Sequence, residues 1–480
     1  MKRLLILILS LCLLLSVMVS CKKEPAEEKN TTPPESEETV EKDPFETKDF
    51  GKEEINVLMS SEISNVCYFG EEATNVYEEE IFDAYLNTED KYNVVFNVEL
   101  ESGNSGNAAN FTKKIETGYN SGAGNGYDYV IGQSLYAYPL AYQGFYKNLQ
   151  KSNYIDLDAE YYYQDLNNNL LIENQIYGIA GSYNMDKISM QMVVFFNKTI
   201  HESQFGSTEY ANLYDIVKSG NWTQAMLATL AEGAKLENGD NTWDEKDMYG
   251  FIGVNATVSA VISSGVEGIS KSETGEYTLS FYNERLVDLV EDWGEFFSKD
   301  YVLNDGTYNN EVIFTSGHSL FYSSHLATLA RMRGVADFNI GVLPFPKYDT
   351  AQTEYRTYVN RSELIYIPRN ADDEISGTIV EYMNYQFHKN VVPAYWDVSM
   401  QGRYAATPED RDMMVLARNG VYEDFAYAYR QDLGDFYIKP QGFMISKKDI
   451  SSWWQEAKGS TEIALNDLVV KFQELGNMGY

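Results

Sequence analysis

Four histidines, His201, His318, His325 and His388, stand singly in the chain, without the i, i+4 spacing that brings two imidazoles onto one zinc ion. No His-Glu-x-x-His, no phosphate loop ending in Gly-Lys-Ser/Thr and no Gly-x-Ser-x-Gly elbow occurs. Gly317-His318-Ser319-Leu320-Phe321 comes nearest the elbow and lacks its closing glycine. A glycosidase works through two carboxyl groups set by their separation in space, so among 72 acidic residues such a pair stays open. One acidic loop has the spacing of a metal site. With Leu236 as the first of twelve calcium-loop positions, Asn238, Asp240, Thr242, Asp244 and Asp247 fall at positions three, five, seven, nine and twelve. Its chemistry is short. Leu236 offers no oxygen, Asp247 replaces the bidentate glutamate, and Asn241 stands where glycine makes the sharp turn, although asparagine tolerates the left-handed backbone. The expectation is weak calcium binding or none, and no cofactor.

The net charge of -35 argues against nucleic acid and anionic membrane surfaces, both of which need a basic patch. The amino end has its own logic. Lys2 and Arg3 precede a strongly apolar run over residues 4–15, and Met18-Val19-Ser20 leads into Cys21. A charged start, a short apolar stretch and small residues before a cut site read as an export signal over residues 1–20. Val19-Ser20-Cys21 resembles the lipobox of bacterial lipoproteins, which implies lipidation at Cys21 and a place on the extracellular face of the cell membrane. Residues 21–52 are rich in glutamate, lysine and proline with few apolar side chains, and read as a disordered acidic tether. With Cys12 in the signal and Cys21 lipidated, Cys67 is left alone, so no intrachain disulfide is expected and Cys67 reads as a buried apolar residue.

The remaining roughly 430 residues exceed one core and predict two domains. Strands alternate with helices. Ile55-Asn56-Val57-Leu58 starts the folded part, a strand runs over 94–100, and another over 127–132. A helix fits 108–119 between them, and Asn75, three residues before Glu78, opens one that runs through Leu86 with a capping box. The periodicity of Leu286, Leu289, Val290, Trp293, Phe296 and Phe297 predicts a helix over 283–298. Ile375, Ile379, Met383 and Phe387 mark a second such face, and Leu465, Leu468, Phe472 and Leu475 a terminal one. Alternation of this kind is the mark of an α/β fold.

Tyr177-Gly178-Ile179-Ala180-Gly181-Ser182-Tyr183, followed by Val193-Val194-Phe195-Phe196-Asn197-Lys198, resembles a passage of the extracellular solute-binding proteins that serve ATP-driven importers. Asn221-Trp222-Thr223, Asp247-Met248-Tyr249-Gly250-Phe251, Gly341-Val342-Leu343-Pro344-Phe345-Pro346, Val392-Pro393-Ala394-Tyr395-Trp396 and Gly402-Arg403-Tyr404-Ala405 extend the likeness in order. The resemblance implies a two-lobe periplasmic-binding-protein-like fold, with crossing strands between the lobes and a ligand cleft. It places the first lobe at 53–192 and 338–395 and the second at 193–337 and 396–480. It further implies a monomer, not an enzyme, that captures a saccharide and passes it to the permease of an ABC importer. A lipid-anchored glycoside hydrolase and a glycan-binding adhesin are the alternatives. Aromatic residues make up 14% of the chain, with 38 tyrosines, and aromatic faces suit the C–H faces of sugar rings. Ligands gather at the carboxyl ends of strands in open α/β sheets, which selects Ser134, Tyr136, Tyr183, Asn184, Tyr322 and Ser323. Trp396 and Arg403 join them from the second crossing. Asp128, inside a strand, reads equally as a local cap and as a site residue, while Arg331, Arg333 and Arg403 each read foremost as partners of nearby carboxylates.

Overall fold

The structure, a computed structural model, describes residues 43–69, 73–122, 126–272, 275–304 and 309–477. The expected signal peptide, the lipid site Cys21 and most of the tether lie outside these residues. The chain divides into a short unit, Met1–Glu46, and a long one, Thr47–Tyr480. In the described part of the short unit the Phe45 amide donates to the Asp43 carboxylate at 2.9 Å.

In the long unit, Ile55, Val57, Leu58 and Met59 are fully buried in strand β1 (Glu53–Ser60), which has a partner on each side. Strands β2 (Val94–Glu101) and β3 (Tyr129–Gln133) both pair with it in parallel, Val57 facing Val98 and Tyr129. Parallel neighbours require crossovers, supplied by helices α1 (Val76–Tyr92) and α2 (Ala108–Asn120). Asn75 caps α1 by accepting the Glu78 amide at 3.1 Å. Glu78 reaches back to the Thr74 amide instead of closing the capping box on Asn75. Asp128 accepts the Asn56 amide at 2.8 Å at the amino end of β3, far from the carboxyl ends of the strands.

A second sheet then begins with β4 (Met192–Asn197) and β5 (Tyr249–Gly253). A separate hairpin, β6 (Ile269–Lys271) and β7 (Tyr277–Leu279), is followed by β8 (Val302–Leu303), β9 (Ser319–His325) and β10 (Ile340–Pro344). The strand order is β10-β4-β9-β5-β8, with β5 parallel to β8 and β9, and β4 antiparallel to β9 and β10. Helix α3 (Glu284–Phe297), capped by Asn283 on the Leu286 amide at 3.0 Å, stacks Trp293 on Phe345 with ring centroids 5.6 Å apart. The last strand, β11 (Glu363–Tyr366), returns to the first sheet antiparallel to β3, giving the order β11-β3-β1-β2.

The strand β10 corrects the expected partition. Residues 340–344 pair with β4 in the second sheet, so the return to the first lobe comes after Pro344 and not at residue 338. Helix α4 (Asp373–Gln386) packs on α1, and α5 (Pro408–Asn419) on β10. The terminal helix α6 (Ile450–Asn477) belongs to both lobes, where 396–480 was expected in the second alone. Its Trp454 meets Phe281 at 5.7 Å between centroids, whereas the Phe472 ring meets Tyr177 at 5.8 Å and the Phe472 carbonyl accepts from Gln175 Nε2 at 2.7 Å.

Three crossings join into one ribbon. The Met192 amide donates to Tyr358 O at 2.8 Å and the Asn360 amide to Met190 O at 3.1 Å. On the other side the Thr357 amide donates to Gly420 O at 2.7 Å and the Tyr422 amide to Thr357 O at 3.1 Å. Residues 357–360 are thus the middle strand of a hinge, flanked by 190–192 and 420–422.

Candidate functional site

The carboxyl ends of both sheets meet at this hinge. Beyond β1, Glu62 turns back over the strand ends and accepts from Ser60 Oγ at 2.7 Å, Ser102 Oγ at 2.6 Å, the Gly103 amide at 2.9 Å and the Asn104 amide at 3.2 Å. Burial alone raises its pKa, but the bonds from Ser102, Ser60 and Gly103, together with the charge of Arg361, outweigh it and hold the carboxyl down at about 2. It is a fixed anion. Its oxygens are occupied and its proton is gone, which makes it a poor general acid.

Arg361 extends from the hinge with φ 76°, a left-handed backbone that costs a non-glycine residue free energy and clusters at functional sites. Its Nη2 stands 3.3 Å from Glu62, in ion-pair range but off the hydrogen-bond direction, so this buried N–H is left without an acceptor among the described residues. The second sheet contributes His325, the last residue of β9. Burial, then the charges of Arg361 and Arg331, lower its pKa to about 4, so the ring is neutral near pH 7. Its Nε2 lies 2.8 Å from Asn360 Nδ2. Asn360 Oδ1 accepts from Tyr358 Oη at 3.1 Å, and Tyr358 Oη lies 2.7 Å from Tyr427 Oη.

Beneath these groups lies a buried charged layer. Lys187 pairs with Asp186 at 3.2 Å and donates to Ser362, which in turn donates to Glu423. Asp186 also accepts the Glu363 amide at 3.1 Å. Burial, then the neighbouring Asp186 charge, push the Glu363 carboxyl up to about 8. Such a layer fixes the floor. The groups above it can hold a polar ligand by directed hydrogen bonds: Arg361 Nη2 and the free nitrogen of His325 as donors, with Tyr427 and Tyr136 as neighbouring rings.

The residues singled out in sequence lie in several places. Tyr183 is in the first core: its hydroxyl meets those of Tyr85 and Tyr129, its ring lies 4.6 Å from Phe387, and its carbonyl accepts the Cys67 thiol at 3.3 Å. Asn184 is fully buried and ties the Gly181 amide to Glu363 O. Tyr322 packs between Phe195 and Phe314 in the second core, and Ser323 is buried within β9. Trp396 is 4% exposed in a wide-turn helical stretch, Ala394–Tyr404, with the Arg418 guanidinium 4.9 Å from its ring. Arg403 is exposed beside Tyr404. Arg331 pairs with Glu311, and Arg333 donates to Ile340 O. The structure places these residues in packing or at the surface. Ser134 and Tyr136 do stand near the hinge. Ser134 donates its amide to Ser362 O at 2.8 Å, and half-buried Tyr136 lies near Tyr427.

In the acidic loop the oxygens serve the loop itself. Buried Asp247 accepts the Asn238 amide at 2.8 Å and the Asp244 amide at 2.6 Å, while Asn238 and Asp240 accept the amides two residues on. Asn241 takes the left-handed backbone, φ 61°. Among the described residues no group of three His, Cys, Asp or Glu side chains is placed to hold a metal ion.

No protein-family model matches the sequence, and no curated protein is similar to it. Solved structures do share the architecture. A substrate-binding protein of an ABC transporter from Listeria monocytogenes, in complex with cycloalternan, has a TM-score of 0.54 at 11% identity, over 86% of this chain and 99% of that one. This is the solute-binding-protein fold. A solute-binding protein from Thermotoga lettingae bound with α-D-tagatose scores 0.55 at 11% identity, over 86% of this chain and all 100% of its own. A further neighbour from Mycobacterium tuberculosis, in complex with glycerophosphocholine, scores 0.55 at 12% identity, over 87% and 99%. In the solute-binding-protein fold two lobes close about a hinge.

Proposed function

We propose that this protein is a lipid-anchored extracellular solute-binding protein. It captures a carbohydrate, an oligosaccharide by preference, between its lobes and delivers it to an ABC-transporter permease. One observation carries the reading: Glu62 from the first lobe, His325 from the second, and Asn360 and Arg361 from the hinge converge where the carboxyl ends of both sheets meet. A ligand touching all of them binds the closed form best and shifts the equilibrium toward it. The cycloalternan and tagatose complexes among the fold neighbours support a saccharide. The glycerophosphocholine complex supports a second reading, a polar solute that is not a sugar.

A thermal-shift panel of maltotriose, cycloalternan, tagatose and glycerophosphocholine tests both. A ligand at ~100 times its Kd adds ~2.7 kcal/mol of stability, a readily measured rise in Tm. A saccharide shift supports the first reading and a shift with glycerophosphocholine alone the second, while no shift from any of the four defeats both. The same incubations leave oligosaccharides uncleaved if the protein binds and does not hydrolyse. Small-angle scattering with the binding solute at saturation is expected to show a smaller radius of gyration. Cys21→Ser is expected to abolish partition into the detergent phase, and a variant that still partitions fully would remove the anchor.

A further inference from the structure

The hydrogen bonds along the hinge run in one direction. In the structure Tyr358 Oη donates to Asn360 Oδ1 at 3.1 Å, and in that amide orientation Asn360 Nδ2 is the donor toward His325 Nε2 at 2.8 Å. A ring nitrogen that accepts carries no proton, and the neutral imidazole must then hold its hydrogen on Nδ1. Tyr427 Oη, 2.7 Å from Tyr358 Oη, completes the order: Tyr427 donates to Tyr358, Tyr358 to Asn360, Asn360 to His325. His325 Nδ1 has no partner among the described residues. It sits where Arg361 is close enough to repel a proton from the ring, and Arg361 Nη2 is itself a buried N–H without an acceptor among the described residues.

We propose that His325 is a specificity-determining donor of the cleft, locked by Tyr427, Tyr358 and Asn360 as the Nδ1–H tautomer, and that it gives this hydrogen bond, beside Arg361 Nη2, to an acceptor oxygen of a neutral saccharide. The inference rests on the proposed carbohydrate capture and adds the residue and the direction of the bond. Two adjacent donors select a ligand that offers lone pairs at that point. A ligand presenting an ammonium or amide N–H there leaves both donors unsatisfied, and a buried unpaired donor is costly. Relay and ligand therefore depend on each other: the ordered chain sets the tautomer, and the tautomer sets what is accepted.

The test uses the full mature chain with 15N-labelled histidine, without ligand and then with whichever of maltotriose, cycloalternan or tagatose raises Tm most. Nitrogen NMR is expected to show His325 as the Nδ1–H tautomer in the empty protein. Asparagine places its amide nitrogen where His Nδ1 stands and glutamine places it near Nε2. His325→Asn is therefore expected to bind within about twofold of wild type, and His325→Gln and His325→Ala about five- to tenfold more weakly, the loss of one neutral hydrogen bond. Tm of each empty variant separates binding from folding. An Nε2–H tautomer in the wild type overturns the relay. Equal affinities for the Asn and Gln variants overturn the donor role while leaving capture intact. Failure of the wild type to bind any of the three saccharides overturns both this inference and the carbohydrate reading beneath it.

Discussion

Two groups of tyrosines make the same kind of contact to opposite effect. In the first core, Tyr85, Tyr129 and Tyr183 turn their hydroxyls toward one another, and Tyr129 and Tyr183 have no exposed surface. At the hinge, Tyr427 and Tyr358 also pair their hydroxyls, but the chain continues through Asn360 to His325. A closed group satisfies buried polar atoms and stops there. An open one ends on a side chain with a hydrogen still to give. Tyrosine content alone therefore says little about ligand. What matters is whether the hydroxyl network ends inside the protein or on something that faces out of it.

Substitutions can break this contrast. The largest effect is expected from Tyr183→Ala, which removes a fully buried ring and should cost about 3–5 kcal/mol of stability, read as a lower denaturant midpoint, with affinity per folded molecule unchanged. Lost affinity at unaltered stability would return Tyr183 to the cleft. Trp396→Ala should behave alike, somewhat less severely, because one face of the ring meets Arg418 rather than the interior.

The pH dependence sharpens the comparison between the floor and the relay. Glu363 has its carboxyl raised from 4.5 to about 8, so the folded state holds a proton that the unfolded chain has released. Its contribution to stability is complete below about pH 4.5 and is lost as pH rises through about 8. Unfolding free energies of wild type, measured relative to Glu363→Gln, should fall across that window by at most ~1.4 kcal/mol per pH unit. His325, lowered from 6.5 to about 4, has the opposite sign. Relative to His325→Gln, wild type should lose stability as pH falls from about 6.5 to about 4. Two difference curves of the same sign would refute one of the assignments.

Smaller still is the effect of Tyr427→Phe. It removes the first donor of the relay and should cost about 1 kcal/mol of stability, with affinity weakened only a few-fold, because Asn360 remains to hold His325. If affinity does not move while stability does, the hinge pair resembles the core group after all. The least effect is expected at the acidic loop. Calorimetry with calcium should give the same small or absent heat for wild type and Asp240→Ala, and micromolar binding abolished by the substitution would restore a metal site there.

The elements were legible where one short stretch of chain carries the signal. The spacing from Leu286 to Phe297 and the Asn283 cap sufficed for α3, and the runs at 55–58 and 94–100 for β1 and β2. The cleft was not legible, because Glu62, His325, Arg361 and Tyr427 meet only in three dimensions and no spacing joins them. The positional rule selected Ser134 and Tyr136, which follow β3 and stand near Ser362 and Tyr427, but it was not applied to Glu62, which follows β1. It misplaced Tyr322 because strands inside these lobes are buried on both faces. In such a sheet a residue near a strand end turns as readily into a core as toward solvent. Trp396 was misplaced for a related reason: the crossing was assigned near residue 395, whereas the ribbon is made by residues 357–360 and 420–422.

Strand β11 has a consequence for how this molecule is made. It completes the first sheet by pairing Glu363 with Gln133, yet the whole second sheet lies between them in the chain. A polypeptide emerging from its amino end therefore presents β3 as an open edge until nearly everything else has arrived, and open edges invite pairing with other chains. Pairings of such long sequence separation also form slowly. The two lobes cannot mature one after the other. The first is finished only by a segment that reaches it through the hinge, so a chain cut short after β10 would carry a complete second sheet beside an unfinished first.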